Sequence, residues 1–161
     1  MQKTSNLQNH EFYMTTAFAQ AKKAFAKDEV PIGAVIVNSQ GIIIARAHNM
    51  VETTHAQTAH AELRALTKAG KEIGDWRLEG CWLYVTLEPC AMCMNAIKIS
   101  RLAGIVFAAK SPLFGYSNID NRESSWLYKN DTLAIIGGIY SEKSVELLQE
   151  FFKKKRMRSR E

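Results

Sequence analysis

The sequence predicts an α/β protein in which a mixed sheet of five strands is covered by helices on both faces. Two observations predict it. Apolar residues recur at helical spacing in four segments, and five short β-branched runs lie between them. The resulting order, αββαβαβ(loop)βα, is that of a mixed sheet between helical layers.

Met14, Ala17, Phe18, Ala21, Ala24 and Phe25 follow a candidate cap at Asn9 and predict a first helix ending near Asp28. "GAVIVNSQGIIIARA" is a hairpin signal, two β-branched runs around an Asn-Ser-Gln-Gly turn. A second helix is expected from Ala59 to Ala69, stopped by Gly70. "CWLYVTL" is a third strand, leading into a third helix, "EPCAMCMNAIKIS", with Pro89 near its first turn, where a missing N–H costs nothing. "AGIVFAA" and "TLAIIGG" are the last strands, and "SEKSVELLQEFFKKKR" is a closing helix capped by Ser141. The connection from Lys110 to Asp131 is long and holds "KSPLFGYSN" and a candidate helical piece, "ESSWLY". It is either functional or an insertion that packs Trp126 onto the body.

With 161 residues, 47% of them apolar, the chain is expected to form one domain, 1–161. "MQKTSNLQNHEF" lacks an apolar signal region, and no apolar run approaches the ~18 residues of a membrane span, so a cytoplasmic protein is expected. Three cysteines, two of them in a C-x-x-C, suit a reducing compartment and metal or redox use. Cys81 reads as an ordinary strand-edge residue. The net charge of +5 is concentrated: "KKKRMRSRE" carries six Lys or Arg and one Glu, so residues 1–152 sum to zero. This basic tail, 153–161, is either a handle for phosphates or a solvated helix end whose cations suit the helix dipole.

"TAHAEL" and "LEPCAMC" carry the chemistry. Zinc takes thiolate and imidazole tetrahedrally; Cys90 and Cys93, three apart, can share one ion, and His60 at a second helix start is the best third ligand. Three protein ligands leave a position for water, the pattern of catalytic zinc. On a helix Glu62 would point about 200° from His60, so it suits a proton acceptor for the activated water better than a ligand. Two other readings remain open from these residues: a redox C-x-x-C, or structural zinc with His10, His48 or His55 as fourth ligand.

"HAE" followed by "PCAMC" resembles the zinc-dependent cytidine and adenosine deaminase superfamily, whose pattern is H-x-E then P-C-x-x-C. Within it the chain is most similar to the bacterial tRNA-specific adenosine deaminases, through "DEVPIGAVIV", "AHN", "TAHAEL", "LYVTLEPCAMCMNAI", "SRLAGIVFAAK" and "LLQEFFKKKR" in the expected order. The resemblance implies a three-layer α/β/α cytidine-deaminase-like fold and a homodimer. It implies hydrolytic deamination of adenosine to inosine at the wobble position of a tRNA anticodon stem-loop. His60, Cys90 and Cys93 would hold one zinc per subunit, and Glu62 would shuttle protons. Asn49 matches a residue that contacts the flipped purine, Gly33 and Ala34 match backbone bordering the base, and Phe151 and Phe152 match an aromatic pair near the RNA. Two segments depart from the family pattern. Ala56-Gln57 stands where Asp-Pro is common, and "KSPLFGYSN" replaces a small, Gly-rich segment. A deaminase of a free base or nucleoside such as guanine or cytosine, and a non-catalytic zinc-stabilised RNA-binding module, are the alternative readings.

Overall fold

The structure, a computed structural model, describes residues 2–118 and 132–160, the side chains of residues 2–8 excepted. "ESSWLY", with Trp126, lies outside the described residues. The elements are α1 (Gln2–Ala26), β1 (Gly33–Val37), β2 (Ile43–His48), α2 (Val51–Thr54), α3 (Ala61–Ile73), β3 (Trp82–Leu87), α4 (Ala91–Ile99), β4 (Gly104–Ala109), a 3-10 turn (Tyr116–Asn118), β5 (Ala134–Gly137) and α5 (Ser141–Arg158). The five strands form one sheet in the order β2-β1-β3-β4-β5. β1 is antiparallel to β2 and β3, while β3, β4 and β5 are parallel, so the expected mixed sheet is present.

Helices cover both faces because alternate residues of the central strands are apolar in both directions. Ala34, Ile36, Leu83, Val85, Ile105 and Phe107 pack under α3 and α4. Val35, Val37, Tyr84, Val106 and Ala108 pack with Met14, Ala17 and Phe18 of α1 and Leu147 of α5. In α3 the buried stripe is Ala61, Ala65, Leu66 and Ala69, mostly small side chains that let the helix lie close to β1 and β2.

Several boundaries differ from the sequence expectation. α1 starts well before Asn9. α3 runs through Gly70 and ends at Gly74, whose φ of 79° and N–H bond to the Gly70 carbonyl make the left-handed stop. α2 is an additional single turn. Ser141 is the first residue of α5 and not its cap; Tyr140 holds that position with a φ of 60°. Lys153 to Arg158 form the last turns of α5. Cys81 is buried at the entry to β3. Among the described residues no helix is long and apolar enough to cross a membrane.

The register collects one edge of the sheet. Gly33 pairs with His48, Ala34 with Val85, Leu87 with Ala109 and Phe107 with Gly137, so the start of β1 and the ends of β2, β3, β4 and β5 share that edge. α1 crosses β1 there so closely that a Cβ on Gly33 would stand 2.0 Å from the Ala17 carbonyl oxygen and 2.4 Å from the Ala21 nitrogen. These are backbone atoms and cannot rotate away. Gly33→Ala is therefore expected to cost about 3 kcal/mol or more in chemical denaturation, at the upper end of overpacking penalties. A cost below about 1 kcal/mol would show that α1 can lift off β1.

Candidate functional site

The edge carries two helix starts that face each other. His60 is the N-cap of α3 and Cys90 the N-cap of α4, both with extended backbone (φ −59°, ψ 145° and φ −72°, ψ 171°). Such positions favour Ser, Thr, Asp or Asn, whose oxygens cap the helix. Here neither side chain makes a capping bond. Pro89 accordingly stands one residue ahead of the cap, outside the helix, and Cys93 is the third residue within it. His60 Nδ1 lies 3.8 Å from Cys90 Sγ and 3.4 Å from Cys93 Sγ. All three donor atoms fall within 4.8 Å of one another.

This spacing fits zinc. Nitrogen at about 2.05 Å and sulfur at about 2.3 Å from a tetrahedral centre are separated by about 3.5 Å. No fourth His, Cys, Asp or Glu joins the cluster among the described residues. His10 is bound to the Tyr84 hydroxyl at 2.8 Å, His48 lies 3.2 Å from Lys27 Nζ, and His55 is exposed. The structural-zinc reading thus loses its fourth ligand. Without a cation, Cys93 donates its proton to Cys90 and His60 adds a hydrogen bond, which brings Cys90 down to about 4. Cys93 is pushed up by that shared proton and by burial, and the contact with Cys90 raises His60. A divalent cation would take both sulfurs as thiolates.

Glu62 is the second residue of α3, only 4% exposed, and its Oε2 has no hydrogen-bond partner among the described residues. Burial pushes its carboxyl up to about 7. A buried carboxylate oxygen left bare beside a ligand cluster is costly unless a further group occupies the space, which is what a metal and its water would do. Because His60 is a cap and not a helical residue, the expected 200° separation from Glu62 does not apply. Burial and the unpartnered oxygen mark Glu62 off instead.

Asn49 is buried one residue beyond β2. Its N–H donates to the Ile32 carbonyl at 3.0 Å, and its side-chain amide donates to Glu29 Oε2 at 3.3 Å. The next residue, Met50, donates to the Ala59 carbonyl at 3.1 Å, tying this loop to the residue before His60. Glu29, unmarked in the sequence, is fully buried and also accepts the Thr53 and Glu52 N–H groups at the start of α2. Burial alone would raise its carboxyl, but those bonds and His48 hold it below the usual range. Gly33 donates its N–H to Thr86 Oγ1 at 3.1 Å, and Ala34 is wholly buried in the core.

Glu88 is a second carboxylate that sequence reasoning missed. It is 3% exposed and accepts N–H groups from Ser111 at 2.9 Å and Ser117 at 3.1 Å, fastening the loop after β4. α5 is tied to the same edge at both ends, by Ser144 Oγ donating to the Thr86 carbonyl and by Lys155 and Arg158 pairing with Asp28 at 2.6 and 3.3 Å. Phe151 is buried against Phe25, whereas Phe152 is 44% exposed. A further cation group forms around His48, where burial, then Lys27, Arg64, Lys23 and Lys68, bring the imidazole down to about 4. The sequence-level sum of zero over residues 1–152 conceals this cluster.

The model of the cytidine and deoxycytidylate deaminase zinc-binding region matches residues 7–109, which include His60, Glu62, Cys90 and Cys93. The chain is 43% identical over 150 residues to the tRNA-specific adenosine deaminase of Bacillus subtilis (strain 168), covering 93% of this chain and 92% of that one. It is 41% identical to the Aquifex aeolicus (strain VF5) protein of the same name, covering 91% and 95%. A solved structure from a study of A-to-I editing by tRNA:A34 deaminases superposes with a TM-score of 0.78 at 36% identity, covering 85% of this chain and 99% of that one. The guanine deaminase of Bacillus subtilis superposes with a TM-score of 0.62 at 34% identity, covering 77% and 86%. With its zinc-ligand geometry in place at two facing helix starts, the chain belongs to the zinc-dependent cytidine and deoxycytidylate deaminase family and, within it, to the tRNA-specific adenosine deaminases.

Proposed function

We propose that this protein deaminates adenosine to inosine hydrolytically at the wobble position of a tRNA anticodon stem-loop, as a single zinc-dependent domain acting in the cytoplasm. His60, Cys90 and Cys93 hold one zinc per subunit. The observation that carries the reading is Glu62, a buried carboxylate with an unpartnered oxygen two residues after a metal-facing histidine. Zinc, when bound, supplies a Lewis acid that lowers the pKa of water to about 7.

Glu62 accepts a proton from the attacking water and delivers it to the departing amino group, so that adenosine and water give inosine and ammonia. Its position in the first turn of α3 keeps the carboxylate near a partial positive charge. Asn49, held by Glu29, orients the purine, and the backbone of Gly33 and Ala34 borders it on the β1 side. Exposed Phe152 and the cations of α5 meet the RNA beyond the site, joined by the cluster around His48. Lys155 and Arg158 already pair with Asp28, which reduces the share of the tail charge left for phosphates. A homodimer accords with the resemblance, and the surface over α3 and α4 exposes Ile73, Trp76 and Ile99 beside a groove of about 780 Å³.

The substrate test compares an anticodon stem-loop carrying wobble adenosine with free adenosine and free guanine. Contacts to flanking nucleotides worth about 4 kcal/mol in all would raise kcat/KM for the stem-loop on the order of 10³-fold. Turnover of guanine at or above the stem-loop rate would favour the guanine deaminase reading, to which the 34% identical Bacillus subtilis structure lends support.

A further inference from the structure

The segment Ser111 to Asn118 is fixed at several points to the helix start that carries Cys90. Glu88 accepts the Ser111 and Ser117 N–H groups, the Tyr116 N–H donates to the Pro89 carbonyl at 2.9 Å, and Gly115 forms an antiparallel bridge with Cys90 itself. Asn118 Nδ2 closes the loop on the Ser111 and Pro112 carbonyls at 2.8 and 3.0 Å. A Cβ at Gly115 would stand 2.3 Å from Glu88 Oε2, so the loop is seated directly on that carboxylate.

At the tip of this rigid mount Leu113 is 81% and Phe114 75% exposed, more than any other large hydrophobic side chain among the described residues. Phe114 directly precedes the residue that pairs with Cys90. Met92, in the first turn of α4, is also exposed. Folding has left an aromatic ring in water one residue from the bridge to Cys90, on a loop whose backbone is anchored to that helix start. Even with Met92, these three side chains make too small a surface for a protein partner, since a stable interface buries about 800 Å² on each side. Phe114 and Leu113 together match the apolar face of one nucleotide base. Lys110, exposed next to the loop, offers a charge for a phosphate.

We propose that Phe114, flanked by Leu113, is a stacking platform for a base adjacent to the adenosine that enters the site. This rests on the RNA-substrate reading above and adds to it a recognition element on the loop after β4. The loop backbone that carries the ring is already fixed by the Glu88 anchors, so little loop freedom is lost when a base stacks on it.

The test uses the full-length zinc protein, its Phe114→Ala and Phe114→Trp variants, and three anticodon stem-loops: intact, and with an abasic residue on either side of the wobble adenosine. Phe114→Ala is expected to lower kcat/KM on the intact stem-loop about tenfold or more and leave free adenosine turnover unchanged, while Phe114→Trp retains the wild-type rate. One abasic substrate should cost the wild type a similar factor and cost Phe114→Ala little further. That shared, non-additive loss is the signature of stacking, which a merely structural residue would not give. Equal rates for wild type and Phe114→Ala, an equal loss on free adenosine, or fully additive losses would overturn the proposal while leaving the RNA substrate intact. A Phe114→Ala protein with reduced sedimentation mass would overturn it too, assigning the ring to contact between copies. A wild type inactive on every stem-loop would remove both this proposal and the reading beneath it.

Discussion

Glu62→Ala is expected to lower single-turnover inosine formation on an anticodon stem-loop by about 10²–10⁴-fold, the usual contribution of a positioned acid–base group. Zinc should stay at about one per chain and stem-loop affinity within about twofold of wild type. Glu62 is not among the three residues whose donor atoms converge, so removing it leaves the ligand cluster intact. No described group donates a hydrogen bond to Oε2, so truncation strands no donor at that oxygen. It also removes a carboxylate whose burial opposes its charge, which offsets part of the packing lost with the side chain. Activity close to wild type would sink the proton-shuttle assignment. Loss of zinc with loss of activity would instead make Glu62 a ligand.

How far the sequence reached depended on whether a residue's task was set by its neighbours in the chain or by its neighbours in space. The strands were legible because alternation and β-branching are local, and all five came out in the expected order. Helix ends were less so. Gly70 read as the stop of the second helix, and only the backbone shows that the helix runs on to Gly74, which takes the left-handed turn. Ser141 has the chemistry of a cap, yet Tyr140 holds the capping position. At the site, His60, Cys90 and Cys93 were legible because few residue types bind zinc and their placement at helix starts can be read from Pro89 and the apolar runs. Glu29 and Glu88 were not. An acidic residue becomes a buried anchor only when distant backbone N–H groups converge on it, those of Glu52 and Thr53 for one and of Ser111 and Ser117 for the other. The cations around His48 were hidden for the same reason, since a charge sum carries no positions.

Cys93→Ser is expected to reduce zinc from about one per chain to below about a tenth after dialysis against a chelator, and to lower the midpoint of thermal unfolding by about 10 °C in zinc-containing buffer. Cys93 Sγ is fully buried and 3.4 Å from His60 Nδ1, and a serine there replaces a thiolate with a neutral oxygen on a shorter arm. Zinc binds the folded site far better than the unfolded chain, so a thousandfold loss of affinity removes about 4 kcal/mol of stabilisation. For a domain of this size each kcal/mol shifts the midpoint by about 2–4 °C. The diagnostic result is the comparison in chelator. Two proteins without metal differ only by the cost of burying a hydroxyl, about 1–2 kcal/mol, so most of the gap should close. A gap of the same size with and without zinc would mean that Cys93 acts as a core residue, and unchanged zinc content would remove it from the ligand set. Closure of the gap also excludes a purely redox role for the C-x-x-C, because a disulfide would survive the chelator and keep the wild type ahead.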